Sequence, residues 1–581
     1  MKMMGFYART SEEWIIASLG CQMDSITIVT LYETLGLASM EFILKQTELT
    51  TILSNSIYLE TILKLKEDNK IGNVKNIIYI TFNEKKENLE DTKEKLKNLG
   101  LNLISYETII ATGKKCVEEK DHEILDKNFK KISPQHIQLI CYTSGTTNNP
   151  KGVMIPAQSI ALSSSWEYNT GYHPSEVDKS LSFLPFAHIV AHILFTIDLV
   201  FGVQIGFFSG NTGKLIEDAQ ELQPTFFCGV PRIYEKLYQT IMNTIDKKGA
   251  LFKKIFNKAL SIKIHNCKKY GKLSHAFFDK FFFSEIKNLL GGKIVYMMSC
   301  GATMNKEIMQ ILKIMFGCYF VDGFGQTEGG GSCIMSNIYD NHLGTVGGVV
   351  NTLELKLVDL PNMGYLSTDV NPKTGIPEPR GEICYRGEFI SKGYYKNIEE
   401  TNKTFDKDGW LHSGDVGIIL TKNGNALKII DRVKSLFKLN QGEYVSPEKV
   451  QKILMGSKYV QQIFLHGESQ YNYAIALVYP ELKECSEFLK ESKKMGDIDY
   501  NKISYDDLWG NKIMEDEIVK DCNIIGRKSG LKGFELPKKI RIINEGFSIQ
   551  NNLMTSLLKL IPRNIRKKYK DDLKKLYEEK L

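Results

Sequence analysis

The pattern of apolar and polar residues between positions 71 and 110 predicts a strand, a helix and a second strand. An apolar run at 76–83 is followed by a charged amphipathic stretch at 85–99 and by another apolar run at 101–106. This succession is typical of a parallel sheet covered by helices. Further short runs of the β type, bounded by glycine, proline or polar residues, lie at 200–208, 225–229 and 293–298.

The pattern changes after about residue 353, where short apolar segments alternate with frequent turns such as PNMG at 361 and NPKTGIP at 371. This predicts a β-rich subdomain. Two lysine-rich stretches, 249–272 and 563–581, are predicted to be helices with solvent-facing basic surfaces. A role at a membrane surface stays open for either stretch.

The apolar stretch 181–208 is long enough to suggest a membrane span. A span would place His188, His192 and Asp198 in lipid, which is costly, and Pro185 interrupts the pattern. A buried helix followed by a buried strand explains the same residues without that cost, and we predict this arrangement.

Composition excludes several classes of protein. The chain has 581 residues, too many for one hydrophobic core, and its charged fraction of 25% is that of an ordinary globular protein. The net charge of +7 comes almost entirely from lysine, which does not favour nucleic-acid binding. Eleven cysteines without a CxxC pair predict buried thiols in a reducing compartment. Glu12 and Glu13 interrupt the only place for a secretory signal, so we expect an intracellular protein.

The segment 141–154, CYTSGTTNNPKGVM, has the composition of an anion-binding loop. Its small residues let backbone N–H groups approach phosphate oxygens. Its other donors are the hydroxyls of Thr143, Ser144, Thr146 and Thr147 and the ammonium of Lys151. The spacing resembles a Walker A loop, but Gly152 stands where that loop needs a Ser or Thr to ligate magnesium. The loop therefore indicates a nucleotide site and disfavours a kinase or GTPase.

The same loop resembles the signature of the acyl-adenylate-forming (AMP-binding) enzymes, which include acyl-CoA synthetases, luciferases and peptide-synthetase adenylation domains. Other motifs of that family follow in order: FLPFAHI at 183, VPRIYEK at 230, SCGATM at 299, DGFGQTEGG at 322, GTVGG at 344, RGEICYRG at 380, GWLHSGD at 409 and IIDRVKSLFKLNQGEYVSPEKV at 429. With FLHGES at 464, the FKLNQGEY string is most similar to the long-chain fatty acyl-CoA synthetases.

The resemblance implies an α/β fold: a large N-terminal body of mixed α/β sheets with a β-rich subdomain, and a small mobile C-terminal α+β domain. The body would span residues 1–431, and the C-terminal lid domain would span 432–581. Lys434 occupies the hinge position of the family. In relatives a longer N-terminal region precedes the segment that begins this chain, so we also expect a body that is short at its N-terminus. Either the fold tolerates the absence of that region, or a sheet edge is left exposed.

The resemblance also assigns an ATP site. Phosphate contacts would come from Thr143, Ser144, Gly145, Thr146, Thr147 and Lys151. Adenine would lie among Gly301, Ala302, Asp322, Phe324, Gly325 and Gln326, with Thr327 at the α-phosphate and Glu328 on Mg²⁺. Asp415 would accept the ribose hydroxyls, and Arg432 would reach ribose and phosphates. A carboxylate suits a diol, and a bidentate guanidinium suits phosphate.

The implied reaction has two steps. A fatty carboxylate attacks the α-phosphate of ATP and releases pyrophosphate, and the thiol of CoA then displaces AMP from the acyl-adenylate. Catalysis is then charge neutralisation and positioning, with no protein nucleophile. His188 would lie beside the carboxylate or else pack in the core, Lys559 would serve the first step, and Lys438 the second.

Two alternatives remain at this point: a ligase that adenylates another carboxylic acid, and a non-catalytic lipid- or nucleotide-binding pseudoenzyme. Asn148, where the family has glycine, and Pro562, where a basic residue is usual near Lys559, motivate the second alternative. The expected partners are fatty acid, ATP and CoA, without nucleic acid. Peripheral attachment to the cytosolic face of the endoplasmic reticulum or another membrane is consistent with the same sequence.

Overall fold

The computed structural model describes residues 1–32, 36–81, 89–119, 132–143, 149–166, 170–302, 304–340, 342–433, 436–441, 443–492, 502–555 and 558–579. The chain divides into two compact units. The larger unit comprises Met1–Lys356, Cys384–Ser413 and Thr421–Lys428. The smaller unit comprises Leu357–Ile383, Gly414–Leu420 and Ile429–Leu581.

The first sheet of the larger unit is mainly parallel. Its strands are β1 (Met3–Tyr7), β2 (Thr27–Thr30), β3 (Thr51–Asn55), β4 (Asn76–Ile80), β5 (Asn102–Ser105), β6 (Ile137–Thr143) and β7 (Lys151–Pro156). Their order is β5-β4-β3-β1-β2-β6-β7, and only the pair β6 and β7 among them is antiparallel. Side chains such as Ile28, Ile52 and Ile77 are fully buried, as expected for strands covered on both faces.

The second sheet of the larger unit has the order β14-β13-β12-β11-β10-β8-β9. Its strands are β8 (Lys179–Ser182), β9 (Gln204–Phe207), β10 (Phe226–Gly229), β11 (Tyr296–Ser299), β12 (Tyr319–Gln326), β13 (Gly331–Met335) and β14 (Gly348–Val349). Strands β8 to β12 run parallel, and β13 and β14 are antiparallel additions.

Helices cover these sheets and connect their strands. They are α1 (Glu12–Met23), α2 (Gly36–Thr47), α3 (Leu59–Glu67), α4 (Leu89–Asn98), α5 (Tyr106–Glu119), α6 (Ala157–Ser163), α7 (Ile189–Phe201), α8 (Leu215–Leu222), α9 (Pro231–Lys247), α10 (Ala250–Tyr270), α11 (Ala276–Phe278), α12 (Ser284–Asn288), α13 (Lys306–Phe316) and α14 (Ile398–Thr404). The strand, helix and strand predicted between 71 and 110 are confirmed as β4, α4 and β5, and β4 and β5 are parallel.

The stretch 181–208 forms a helix and then a strand, as predicted, but the strand is not buried. Helix α7 is followed by β9, the last strand of its sheet, which pairs on one side only and is partly exposed. The prediction of a buried strand was wrong because an apolar run does not reveal whether a strand lies at a sheet edge. None of the helices within the described ranges is both long enough and apolar enough to cross a membrane.

The predicted β-rich region is confirmed as a sheet of order β15-β16-β17-β18. Its strands are β15 (Leu353–Val358), β16 (Arg380–Gly387), β17 (Leu411–Leu420) and β18 (Ala426–Arg432). The smaller unit adds a pair, β19 (Phe437–Lys438) and β20 (Tyr444–Val445), and a sheet of β21 (Val460–His466), β22 (Ala474–Pro480) and β23 (Pro537–Ile542).

The helices of the smaller unit pack around this last sheet. They are α15 (Pro447–Leu454), α16 (Leu482–Ser492), α17 (Tyr505–Leu508), α18 (Lys512–Lys528), α19 (Pro562–Lys568) and α20 (Lys570–Glu578). The prediction that 563–581 is helical is confirmed for α19 and α20. Their apolar side chains, among them Ile565 and Leu576, are buried, so only the basic faces meet solvent.

Candidate active site

The sequence motifs of the larger unit converge at one edge of the second sheet. Strands β8, β10, β11 and β12 are parallel, and the carboxyl ends of parallel strands meet at the same edge. The segment 183–188 follows β8, the segment 230–236 follows β10, and Gly301 and Ala302 follow β11. Asp322 pairs in register with Ser299 of β11, and 323–326 complete β12. The fold thus gathers segments that lie far apart in the chain.

The phosphate loop of the sequence connects two antiparallel strands. Thr143 ends β6 and pairs with Lys151, the first residue of β7. The predicted contacts Ser144, Gly145, Thr146 and Thr147 lie outside the described residues, as do Asn148 and the hinge residue Lys434. A Cβ at Gly152 would lie 2.8 Å from Cζ of Tyr142. Packing therefore requires glycine at the position where a Walker A loop has its hydroxyl residue.

Lys151 is held by two residues that the sequence did not single out. The side chain is only 8% exposed, and its Nζ pairs with the Glu400 carboxylate and lies 5.2 Å from the ring centroid of Tyr394. The paired lysine lowers the pKa of Glu400. The hydroxyl of Tyr394 donates to Oε1 of Glu328 at 2.7 Å. One tyrosine thus connects the phosphate-loop lysine with the predicted magnesium ligand.

Backbone pairing explains how Tyr394 reaches this position. The N–H of Met154 donates to the carbonyl of Gly393, and the N–H of Tyr395 donates to the carbonyl of Gly152. Residues 392–395 therefore lie alongside β7. Burial, followed by the charge of Glu328, raises the pKa of Tyr394, so its hydroxyl keeps its proton. No local pattern marks Tyr394 or Glu400 in the sequence, because both lie far from Lys151 along the chain.

Glu328 lies in a short turn that two glycines make possible. The residues Thr327–Gly329 form a 3₁₀ turn, and Thr327 is buried. A Cβ on Gly330 would overlap the carbonyl oxygen of Phe389, and a Cβ on Gly331 would overlap Cδ1 of Ile193 on α7. The close approach of α7 therefore fixes β13 and the turn that carries Glu328.

His188 lies at the start of α7, the helix that Gly331 approaches closely. Its Nδ1 accepts a hydrogen bond from the N–H of Val190 at 3.3 Å, so the imidazole caps the helix. The thiol of Cys141 on β6 donates to the carbonyl of Ala187 at 3.1 Å, which ties the strand of the phosphate loop to His188. Burial raises the pKa of Cys141 to about 11, so the thiol is neutral and available as a donor.

A small cavity lies between α7 and the second sheet. Its volume of about 20 Å³ is room for one water molecule, and most of its lining is apolar. Asp198 also lines it, although this carboxyl is buried and lies in the last turn of α7. Burial raises the pKa of Asp198 to about 7, and a hydrogen bond with the Ser180 side chain partly opposes that shift.

The smaller unit brings two predicted ribose ligands together. Asp415 on β17 and Arg432 at the end of β18 form an ion pair, with Nε and Oδ1 3.5 Å apart. The N–H of Val433, directly after β18, donates to the carbonyl of Gly414 within β17. The Arg432 side chain is 47% exposed, whereas that of Asp415 is only 15% exposed.

The two remaining predicted lysines lie at exposed positions of the smaller unit. Lys438 is on β19, and its Nζ lies 5.5 Å from the ring centroid of Tyr444. Two hydrogen bonds join Lys559 to Thr555. The N–H of Lys559 donates to Oγ1 of Thr555, and the N–H of Thr555 donates to the carbonyl of Lys559. The Lys559 side chain lies at the surface.

Comparison with known proteins agrees with this arrangement. Residues 2–395 match the family model described as AMP-binding enzyme. The chain is 34% identical to fatty acyl-CoA synthetase B of Dictyostelium discoideum over 99% of its own length and 81% of the relative's. It is 33% identical to the peroxisomal long chain acyl-CoA synthetase 7 of Arabidopsis thaliana over 99% of its length and 78% of the relative's.

Among solved structures, the adenylation domain of a carboxylate reductase from Mycobacterium chelonae superposes with a TM-score of 0.77 at 22% identity, covering all of this chain and 81% of that one. The predicted fold class, α/β with a large body and a small C-terminal domain, is therefore confirmed. The family model matches well over half of the chain, and together with the two relatives it identifies the family of this protein. The chain belongs to the AMP-binding enzymes, within the group of long-chain acyl-CoA synthetases.

Proposed function

We propose that this protein is a long-chain fatty acid:CoA ligase that forms an acyl-adenylate from fatty acid and ATP and then acyl-CoA. The observation that carries the proposal is the connection of Lys151 to Glu328 through Tyr394. This connection brings together a cation that can bind phosphate and a carboxylate that can bind a metal ion. The chain that carries them is about one-third identical to fatty acyl-CoA synthetases over nearly its full length. The alternative of a different acid substrate lacks such support.

In the first half-reaction, the residues of the larger unit neutralise the charge of ATP and orient the two substrates. Lys151, released from Glu400 or shared with it, neutralises phosphate oxygens of ATP, and the Thr143 hydroxyl adds a donor. Gly301, Ala302, Asp322 and Phe324 to Gln326 border the adenine, and Thr327 donates to the α-phosphate. His188, fixed as the cap of α7, orients the fatty carboxylate for attack.

The residues present fit Mg²⁺, which a reaction with ATP requires. Glu328 supplies a hard carboxylate oxygen, the ligand type that Mg²⁺ prefers alongside phosphates. Because Oε1 accepts the Tyr394 hydroxyl, the orientation of this carboxylate is fixed, and Glu328 would hold the ion in that orientation. When bound, the ion would offset the negative charge of the leaving pyrophosphate.

The proposal for the smaller unit follows the family resemblance. Asp415 and Arg432 bind the ribose and phosphates, and residues 432–581 act as a lid that turns about Lys434 relative to 1–431. Lys559 then serves adenylate formation, and Lys438 serves thioester formation. The exposure of both lysines is compatible with a substrate that arrives from solvent.

The test uses the full chain with ATP, Mg²⁺, CoA and saturated fatty acids of increasing length. We expect fatty acid-dependent release of AMP and pyrophosphate, and the absence of AMP at every chain length would refute the function. Lys559→Ala should abolish adenylate formation but spare thioester formation from preformed acyl-adenylate. Lys570→Ala, at another exposed lysine of the same unit, is the matched control and should be fully active.

A further inference from the structure

The segment from α10 to the end of α12 concentrates the positive charge of the protein. We call these residues, 250–288, the basic hairpin. It contains nine lysines, no arginine, and two carboxylates, so its net charge of +7 equals that of the whole chain. The rest of the chain is neutral in sum. Such a local excess is the electrostatic signature of a surface that meets an anionic partner.

The inner face of the basic hairpin is firmly packed. Phe256 on α10 is buried and lies 5.1 Å from the ring centroid of Phe283, which belongs to a π-helical turn over Asp279–Phe283. Lys263 is buried and pairs with Asp279, and burial lowers the pKa of Lys263 while the carboxylate opposes that shift. The two arms of the hairpin are thus packed against each other.

The outer face is apolar and basic at once. Leu251, Ile255 and Ile262 lie on one stripe of α10 at spacings of four and seven residues, and Lys254 and Lys258 flank them. All of these side chains are exposed, Leu251 to 74%. A monomeric protein in water gains nothing from such a stripe.

The second arm of the hairpin presents two phenylalanines. Phe277 and Phe281 are 57% and 59% exposed, and their ring centroids lie 4.8 Å apart. The Nζ of Lys280 lies 5.8 Å from the centroid of Phe281. Exposed aromatic rings beside ammonium groups suit the boundary between lipid headgroups and acyl chains.

We propose that the basic hairpin docks the protein on the surface of an anionic phospholipid bilayer, with Leu251, Ile255, Phe277 and Phe281 entering the headgroup region and the lysines meeting the lipid charges. The absence of arginine from the hairpin disfavours nucleic acid, because arginine offers bidentate contacts to phosphates and guanine that lysine does not match. Abundant lysine also disfavours a protein partner, since lysine is depleted in protein interfaces.

The C-terminal helices are a weaker candidate for the same role. Like the hairpin, α19 and α20 are rich in lysine, but their apolar side chains are buried in the smaller unit. Within the described residues, no large apolar side chain between 562 and 579 is strongly exposed. Charge alone gives only weak and salt-sensitive attachment, whereas the hairpin adds apolar insertion.

The experiment measures co-sedimentation of the full chain with vesicles of phosphatidylcholine, either alone or mixed with phosphatidylserine, in the absence of ATP and CoA. We expect binding to the anionic vesicles that weakens with salt. The variant Phe277→Ser/Phe281→Ser and the variant Lys254→Glu/Lys258→Glu/Lys269→Glu should each bind at least tenfold more weakly. The matched control Lys97→Glu/Lys114→Glu/Lys115→Glu changes the charge equally at exposed lysines elsewhere in the larger unit and should bind like the parent.

Melting temperature and ATP binding verify that each variant is folded. Lack of binding to anionic vesicles, equal loss in the control, or unchanged binding of both hairpin variants would each overturn the proposal. Binding of the hairpin to RNA without binding to vesicles would overturn it as well. Because vesicle binding needs no turnover, a chain that binds vesicles but forms no acyl-CoA would refute only the proposed function.

Discussion

Asp198 allows a quantitative test of how burial in the larger unit changes the pKa of a carboxyl group and the stability of the protein. Its carboxyl is buried beside the small cavity behind α7, and burial raises its pKa from 3.8 to about 7. Native protein therefore keeps this proton up to about pH 7, whereas the unfolded chain loses it near pH 3.8. The contribution of this group to the free energy of unfolding is therefore most favourable below pH 3.8 and is lost as the pH rises from 3.8 to about 7. At about 1.36 kcal/mol per pH unit of pKa difference, the loss above pH 7 amounts to about 4 kcal/mol.

The variant Asp198→Asn removes this ionisation and keeps a neutral polar group of the same shape near Ser180. We expect its free energy of unfolding, relative to the parent, to rise by about 4 kcal/mol between pH 4 and pH 8. His192, whose pKa burial lowers to about 4, titrates in both proteins and cancels in this difference. Urea denaturation followed by circular dichroism at several pH values measures the quantity.

The control for this measurement is Asp246→Asn, at an exposed aspartate of the same unit. Exposed carboxylates stay hydrated on folding, so this change should alter the free energy of unfolding by less than about 1 kcal/mol. If the advantage of Asp198→Asn over the parent were the same at pH 5 and pH 8, the carboxyl would not be protonated in the native state. The assignment of its raised pKa to burial would then be wrong.

Three further predictions concern the candidate active site. Tyr394→Phe keeps the ring beside Lys151 but removes the hydrogen bond to Glu328, and it should lower kcat/KM for ATP by about 10- to 100-fold without changing the melting temperature by more than a few degrees. Glu400→Gln removes the carboxylate that competes with phosphate for Lys151; KM for ATP should fall, and a rise would show that Glu400 mainly positions the lysine. Gly331→Ala introduces a Cβ that overlaps α7 at a φ of 121°, so thermal denaturation should show a loss of more than about 2 kcal/mol.

The elements that the sequence predicted best are those that a local pattern determines. The strand, helix and strand between 71 and 110 follow from a change of hydrophobic period, and the structure has them as β4, α4 and β5. The place of β9 could not be predicted in this way. An apolar run has the same composition at the centre and at the edge of a sheet, and only the order of strands decides which it is.

The candidate site shows the same division between local and long-range information. Lys151 was predicted from the composition of its loop, whereas Asp322 and Glu328 were predicted because they belong to contiguous motifs that resemble those of the AMP-binding enzymes. Tyr394 and Glu400 belong to no such motif, and they meet Lys151 only because residues 392–395 pair with β7.

The buried pair of Lys151 and Glu400 also has a cost that the sequence could not have indicated. Burying a charged group is costly unless it is paired, and the Lys151 side chain is only 8% exposed, so the Glu400 carboxylate offsets that cost when no nucleotide is bound. ATP must then replace or share that partner, which makes the strength of the pair part of the affinity for ATP. The sequence alone predicts that Lys151 is available to bind phosphate. In the structure its ammonium group is already paired with the Glu400 carboxylate, so a phosphate of ATP has to compete with that carboxylate.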